Sequence, residues 1–245
     1  MKSGEIDYLK NIGPQGSQDA FDKPFSDATR PKNLVDIGVV LALLPHPPAR
    51  VLDLGCGTGW TSWFLAKSGY DVVGQDIAQD MIDLAVKNGE RYGTSSAKFV
   101  VSDYETAEYR EEFDAALFYD SLHHAEDEEA AIRCAFRALK PGGALVTHEP
   151  GRGHFDSEPS RHAMKEYGVN EKDMPPSRIF ALGREAGFST FRRLVDPTHL
   201  CLAAYGVNLQ NGSRLKGMVE QFKWGITLLR RALNPDDGAI CVLQK

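Results

Sequence analysis

Three glycines at alternate positions, Gly55, Gly57 and Gly59, follow an apolar run in the stretch VLDLGCGTGW, Val51 to Trp60. A strand, a glycine-rich turn and a helix start make a place where unpaired N–H groups and the helix dipole favour an anion. Two anions compete for it, a dinucleotide pyrophosphate and a carboxylate, and a bare structural turn using glycine at positive φ is a third reading. The dinucleotide fingerprint wants its last glycine at the sixth position, where this chain has the bulk of Trp60. Two acids extend the pattern. Asp76 lies about 20 residues beyond Gly55, where a carboxylate can accept both hydroxyls of a ribose. Asp103, next to Tyr104, is placed to meet an adenine amino group. Each acid alone is explained as well by a turn or a helix cap. Delivered in order by three consecutive strands, they describe a nucleoside site.

Those strands belong to an alternation that begins at Arg50. RVLDL, DVVGQD, AKFVVSD, FDAALFYD and GALVTHE read as strands, and TSWFLAKSG, AQDMIDLAVKNGERYG and AEDEEAAIRCAFRALKPGG as the helices between them. Apolar Met81, Ile82, Ala85 and Val86 fall at helical spacing in one helix, and Ile132, Ala135, Phe136 and Leu139 in another. The pattern predicts βαβ units and a parallel sheet, whose C-terminal edge holds Gly55, Asp76 and Asp103 together. After Glu149 the rhythm breaks into a polar, Pro/Gly-rich stretch, about 150–176, of the kind that carries function. A helix and strand, SRIFALGREAG and FSTFRRLVD, resume it; 197–237 does not continue it, and GAICVLQK is a last strand. Residues 1–49 read as a helical extension, a cap whose helix near Leu34 to Leu44 covers one face of the sheet; 50–245 form the main domain.

A chain of 245 residues with formal charge -6 and no Lys/Arg block lacks the basic footprint of a nucleic-acid binder. Its four cysteines, Cys56, Cys134, Cys201 and Cys241, form no CxxC pair and read as reduced thiols in a cytoplasm. The start has no apolar signal stretch and no run is long enough to span a membrane. The expectation is a cytoplasmic protein acting on a small molecule, without nucleic-acid or membrane partners, its oligomeric state open, with a homodimer as one option.

VLDLGCGTGW, VVGQDIAQDMIDLA, VSDY, FDAALFYDSLHHAED and LKPGGALV, in that order, resemble the successive motifs of class I S-adenosylmethionine-dependent methyltransferases, particularly the small-molecule branch. The resemblance covers about Arg50 to Glu149. It implies a Rossmann-like, doubly wound α/β fold: a seven-stranded sheet, mostly parallel with an antiparallel last strand, and helices on both faces. It further implies that the backbone of Gly55, Cys56, Gly57 and Gly59 approaches the methionine end of S-adenosylmethionine. Asp76 would hold the ribose, Asp103 and Tyr104 would frame the adenine, and Asp53, Ile77, Met81, Tyr119 and Asp120 would line the same pocket. The activity expected is methyl transfer to a hydroxyl or amine of a small metabolite. The alternatives are a non-catalytic scaffold or regulatory protein that binds S-adenosylmethionine and, against the Gly59-Trp60 spacing, a nicotinamide-dependent dehydrogenase.

The methyl of a sulfonium is already activated, so holding a nucleophile in line is the main task. An aliphatic hydroxyl benefits from a base. His154 is the first choice, because glycines flanking Arg152 let its loop fold back towards the crevice; His148 and His124 are the alternatives. A base of this kind has to be neutral, so activity should rise with pH through the histidine range. Two histidines, His148 and His154, with Glu149 are a weak metal set, and no metal is expected. Leu215, Met218, Val219, Phe222, Ile226, Leu229 and Leu233 share one helical face, read first as core contact. That helix and the loop from Gly151 to Pro176 are expected to close over the substrate, with Trp224, off the stripe, facing substrate or a second subunit.

Overall fold

The computed structural model describes residues 2–26, 30–93, 96–205 and 214–245. Its centre is a seven-stranded sheet in the order β3-β2-β1-β4-β5-β7-β6, formed by β1 (Arg50–Leu54), β2 (Asp71–Asp76), β3 (Ala97–Val101), β4 (Phe113–Tyr119), β5 (Leu139–Glu149), β6 (Thr190–Leu194) and β7 (Ala239–Gln244). β1 pairs in parallel with β2 and β4, β2 with β3, and β4 with β5. β7 alone is reversed, antiparallel to both β5 and β6. The expected Rossmann-like α/β sheet, mostly parallel with an antiparallel last strand, is therefore the one found. Leu54 lies beside Gln75 and Phe118, and Tyr119 beside His148. This register brings the C-terminal ends of β1, β2, β4 and β5 to a common edge.

Side chains alternate across the strands, and the two faces bury separate cores. On one face Leu52, Leu54, Ala116 and Phe118 pack with Ile132, Ile179 and Leu182, from α7 (Glu128–Ala138) and α9 (Pro176–Ala186). On the other Val51, Val72, Leu117 and Val146 pack with Trp60, Trp63, Ile37 and Val40, from α5 (Trp60–Lys67) and α4 (Arg30–Leu43). The helix expected near Leu34 to Leu44 is α4. α6 (Gln79–Tyr92) lies between β2 and β3 in the chain. Asp127 starts α7 by accepting the Ala130 N–H at 2.9 Å, with Glu128 and Glu129 in its first turn, so the acidic run there is helix start rather than binding surface.

Ahead of the sheet, α1 (Ser3–Ile6), α2 (Tyr8–Asn11) and α3 (Gly13–Phe21) cross its C-terminal edge. α8 (Glu158–Tyr167) lies in the segment after β5. α10 (Pro197–Tyr205) and α11 (Arg214–Leu233) pack mainly on each other. The apolar stripe of α11 is not core. Met218, Phe222, Leu229 and Leu233 are exposed, as are Val219 and Ile226; the side chain of Leu215 and residues 206–213 lie outside the described residues. The stripe has the right period, but α10 is too short to cover it. Among the described residues no helix is long and apolar enough to cross a membrane.

Candidate active site

At the sheet's C-terminal edge a cavity of about 1050 Å³ runs beneath the N-terminal helices. The three glycines of the turn after β1 all have positive φ, 74°, 52° and 78° for Gly55, Gly57 and Gly59, and their surroundings separate their roles. A Cβ on Gly55 would stand 2.6 Å from that of Ser121, whereas Gly57 faces open space. A Cβ on Gly59 would meet Ala85 at 2.8 Å and the Phe99 ring at 3.0 Å. Gly59 thus lets α5 approach α6 and β3 and, unlike Gly55, Cys56 and Gly57, does not line the cavity. The expectation that the whole glycine turn faces the pocket is corrected: Gly55 and Gly57 line it and Gly59 does not.

Asp53 is corrected as well. It is buried behind the turn, accepting the hydroxyls of Thr61 and Ser62 at 2.6 Å each. Burial pushes its carboxyl up to about 6, and it anchors the start of α5 rather than lining the pocket. Asp76, Ile77 and Met81 are in the wall. Asp76 accepts the N–H groups of Gly57 at 2.9 Å and Ala78 at 3.0 Å, one on each oxygen, which leaves lone pairs for further donors. Desolvation raises its carboxyl above the usual range despite those bonds. Asp103 and Tyr104 line the same end. Lys2 pairs with Asp103 and, at 2.8 Å, with Glu105, and the Tyr104 hydroxyl donates to the Ser121 carbonyl at 3.0 Å.

Tyr119, Asp120, His124, His148 and His154 line the cavity as well. The His148 ring stacks on Tyr119 with centroids 4.5 Å apart. Its Nδ1 donates to Asp120 at 3.1 Å and its Nε2 to Asp36 at 3.0 Å; Lys32 shares Asp36. Burial opposes a charge on His148, but the two carboxylates prevail and raise it to about 10. Desolvation would likewise raise Asp120, and the imidazolium holds it well below the usual range instead. With Asp120 on Nδ1 and both Asp36 and the Lys32 Nζ, at 3.2 Å, on Nε2, neither nitrogen of His148 is open to an acceptor, which ranks it below the other two histidines as a base. His124 is the opposite case. Desolvation, then the neighbouring His123, lower it to about 4, and its Nδ1–H donates to the Asn170 carbonyl at 2.6 Å. Its Nε2 lone pair is therefore available. His154 reaches the cavity as its loop suggested, with Nε2 2.6 Å from Glu171.

Sequence reasoning missed Lys2, Lys32, Asp36 and Glu171, because each joins the site through contacts more than a hundred positions away or from an irregular loop. Only Glu171 had a signal, its place in the Pro/Gly-rich stretch after β5. The segment from Gly151 lines the cavity as far as Glu171, but among the described residues of α11 only Arg231 does so; Trp224 packs on His199, centroids 5.4 Å apart. The roof over the cofactor end is α1 to α3.

Residues 51–143 match the family model described as a methyltransferase domain. The ubiquinone biosynthesis O-methyltransferase of Hydrogenovibrio crunogenus is 30% identical over 146 residues, 56% of this chain and 61% of that protein. Phosphoethanolamine N-methyltransferase 1 of Triticum aestivum is 38% identical over 101 residues, 40% of this chain and 20% of that one. The chain thus spans about three fifths or less of the length of these two relatives. Among solved structures, phosphoethanolamine N-methyltransferase 2 of Haemonchus contortus in complex with S-adenosyl-L-methionine superposes with TM-score 0.64 at 18% identity, over 98% of this chain and 59% of that one. An S-adenosylmethionine dependent methyltransferase from Mesorhizobium loti gives 0.62 at 18% identity, over 92% and 100%. These likenesses show the fold. The open side of Gly57, the carboxylate of Asp76 with acceptor capacity to spare and the Asp103–Tyr104 corner fit the aminoacyl, ribose and adenine parts of S-adenosylmethionine in turn. The motif order, the sheet and the family match over residues 51–143 agree, and that stretch is a methyltransferase domain with the fold of the class I, S-adenosylmethionine-dependent enzymes.

Proposed function

We propose that this protein transfers the methyl group of S-adenosylmethionine to a hydroxyl or amine of a small metabolite. The observation that carries the reading is a single cavity of about 1050 Å³ lined both by the glycine turn and Asp76 and by His124, His154 and Glu171. That volume is about the upper size of a small-molecule pocket, so it has room for a cofactor and an acceptor side by side. When bound, S-adenosylmethionine supplies a methyl on a sulfonium sulfur that needs an aligned nucleophile and little else. The chain's part is to hold the acceptor, exclude water and take its proton. Holding the acceptor falls to the 150–171 segment together with Asp120 and Tyr119; excluding water falls to the N-terminal helices.

The acceptor proton goes to His154, whose ring is oriented by Glu171, with His124 as the second base. The named activities of the curated relatives, an O-methyltransferase and an N-methyltransferase, support both acceptor atoms and favour neither. The test is incubation of the protein with methyl-labelled S-adenosylmethionine and a metabolite extract, followed by isolation of the labelled product. A labelled hydroxyl or amine is expected. Tight cofactor binding with no labelled product from any extract would favour the scaffold reading instead. Once an acceptor is known, His154→Ala should lower turnover about 10²- to 10⁴-fold at nearly unchanged cofactor affinity, because the cofactor contacts lie on other strands.

A further inference from the structure

His123, His124 and Glu171 each offer one ligand atom, and the three atoms lie within 4.8 Å of one another. His123 and His124 share the short turn Leu122–His124 directly after β4, their rings 4.0 Å apart. Glu171 arrives from the loop beyond α8, its Oε2 3.7 Å from His123 Nε2. His123 is buried and Glu171 nearly so.

The outer partners of these groups matter as much as the groups. Glu149 is a buried carboxylate that accepts the N–H groups of Ser121 at 3.1 Å and Leu122 at 2.8 Å. It also stands 2.7 Å from His123 Nδ1, so that nitrogen carries the proton and donates. The Asn170 carbonyl fixes His124 in the same way at 2.6 Å. Both rings thereby commit Nδ1 to an outer partner and leave Nε2 as the nitrogen that can face an ion, the arrangement that a carboxylate or a backbone carbonyl imposes on metal-binding histidines. His154, 2.6 Å from Glu171 and with its ring 5.0 Å from that of His123, orients the carboxylate from the far side.

We propose that His123, His124 and Glu171 bind a divalent transition metal ion, with Glu149, the Asn170 carbonyl and His154 as its positioning partners. Two imidazoles and one carboxylate suit Zn²⁺, Fe²⁺, Mn²⁺ or Co²⁺ rather than Mg²⁺ or Ca²⁺. Three protein ligands leave a coordination position open, as in catalytic rather than structural sites. His124 and Glu171 are in the cavity wall, so that position opens towards the acceptor. An ion there would lower the pKa of an acceptor hydroxyl that reached it, and Glu171 would join the ion to His154. The inference deepens the methyl-transfer reading and rests on it for the metal's use, but not for its binding. It also revises the sequence-based expectation of no metal, which weighed His148, His154 and Glu149. That set fails because the His148 nitrogens are taken by Asp36 and Asp120.

The test is titration of chelator-stripped, full-length protein with Co²⁺, followed by visible absorption, and with Zn²⁺, followed by calorimetry. S-adenosylhomocysteine binding is measured on the same samples. One ion per chain is expected, with Co²⁺ bands of a low-coordinate nitrogen–oxygen site. His124→Gln and Glu171→Gln should each lose about tenfold or more in metal affinity, with S-adenosylhomocysteine affinity retained as the check that they fold. Metal binding that depends on both residues supports the site even if the protein ignores S-adenosylhomocysteine, a result that would count against methyl transfer alone. Absence of saturable Co²⁺ and Zn²⁺ binding in protein that still binds S-adenosylhomocysteine overturns the site and leaves the methyl-transfer reading standing. Equal metal affinity in wild type and both variants overturns it too.

Discussion

Two histidines in one cavity wall are driven to opposite states by what surrounds them. His124 is desolvated beside another imidazole and loses its proton readily, whereas His148 is desolvated between Asp36 and Asp120 and keeps its own. The sign of the second effect is testable. His148 has its folded pKa raised to about 10, against about 6.5 unfolded. Its contribution to stability is fully present below about pH 6.5 and is lost as pH rises towards 10. Denaturant unfolding across that window should show wild-type stability falling by a few kcal/mol, on the order implied by a shift of this size, and His148→Gln should lack most of the fall. The glycines offer a second contrast. Gly59→Ala forces a methyl against Ala85 and Phe99 at positive φ, so it should cost more than about 1 kcal/mol of stability. Gly57→Ala has space and should unfold closer to wild type, yet place its methyl where the cofactor approaches. Thermal melts and cofactor titrations of the two variants should therefore rank them oppositely.

Among the elements, legibility followed the regularity of the backbone. Strands β1 to β5 and the helices between them were legible because apolar periods of two and of 3.6 are enforced by a sheet buried on both faces. The cofactor end of the site came with them, since strand ends on one edge must converge. The acceptor end did not. Glu171 lies in a loop without period, and Lys2, just ahead of α1, and Lys32, on α4, reach the cavity on helices whose docking no local pattern encodes. The stripe on α11 misled because a helical period states that one face is apolar, not that anything covers it. If Phe222 and Leu229 are as exposed as the structure has them, Phe222→Ser and Leu229→Ser should each change unfolding free energy by no more than about 0.5 kcal/mol. A core residue such as Leu117→Ala, fully buried between α5 and the sheet, should cost about 2–5 kcal/mol. Equal losses at the three positions would place the stripe in a core after all.

At the scale of the whole molecule, the sheet fixes one wall, and the N-terminal helices, the loop after β5 and the 3₁₀ turn after β4 are among the segments that complete the cavity. The family match ends at 143, so His148, His154 and Glu171 lie beyond it. That division is why the cofactor can be named and the acceptor cannot be read from the same motifs. The account stands or falls on the cofactor end of the cavity. Calorimetric titration of the purified protein with S-adenosylmethionine and S-adenosylhomocysteine, wild type beside Asp76→Ala, measures it most directly. One site per chain is predicted, weakened about tenfold or more in the variant by the loss of charge-assisted hydrogen bonds to the ribose. Binding of NAD with no response to either sulfur compound, or binding that Asp76→Ala leaves untouched, would contradict it.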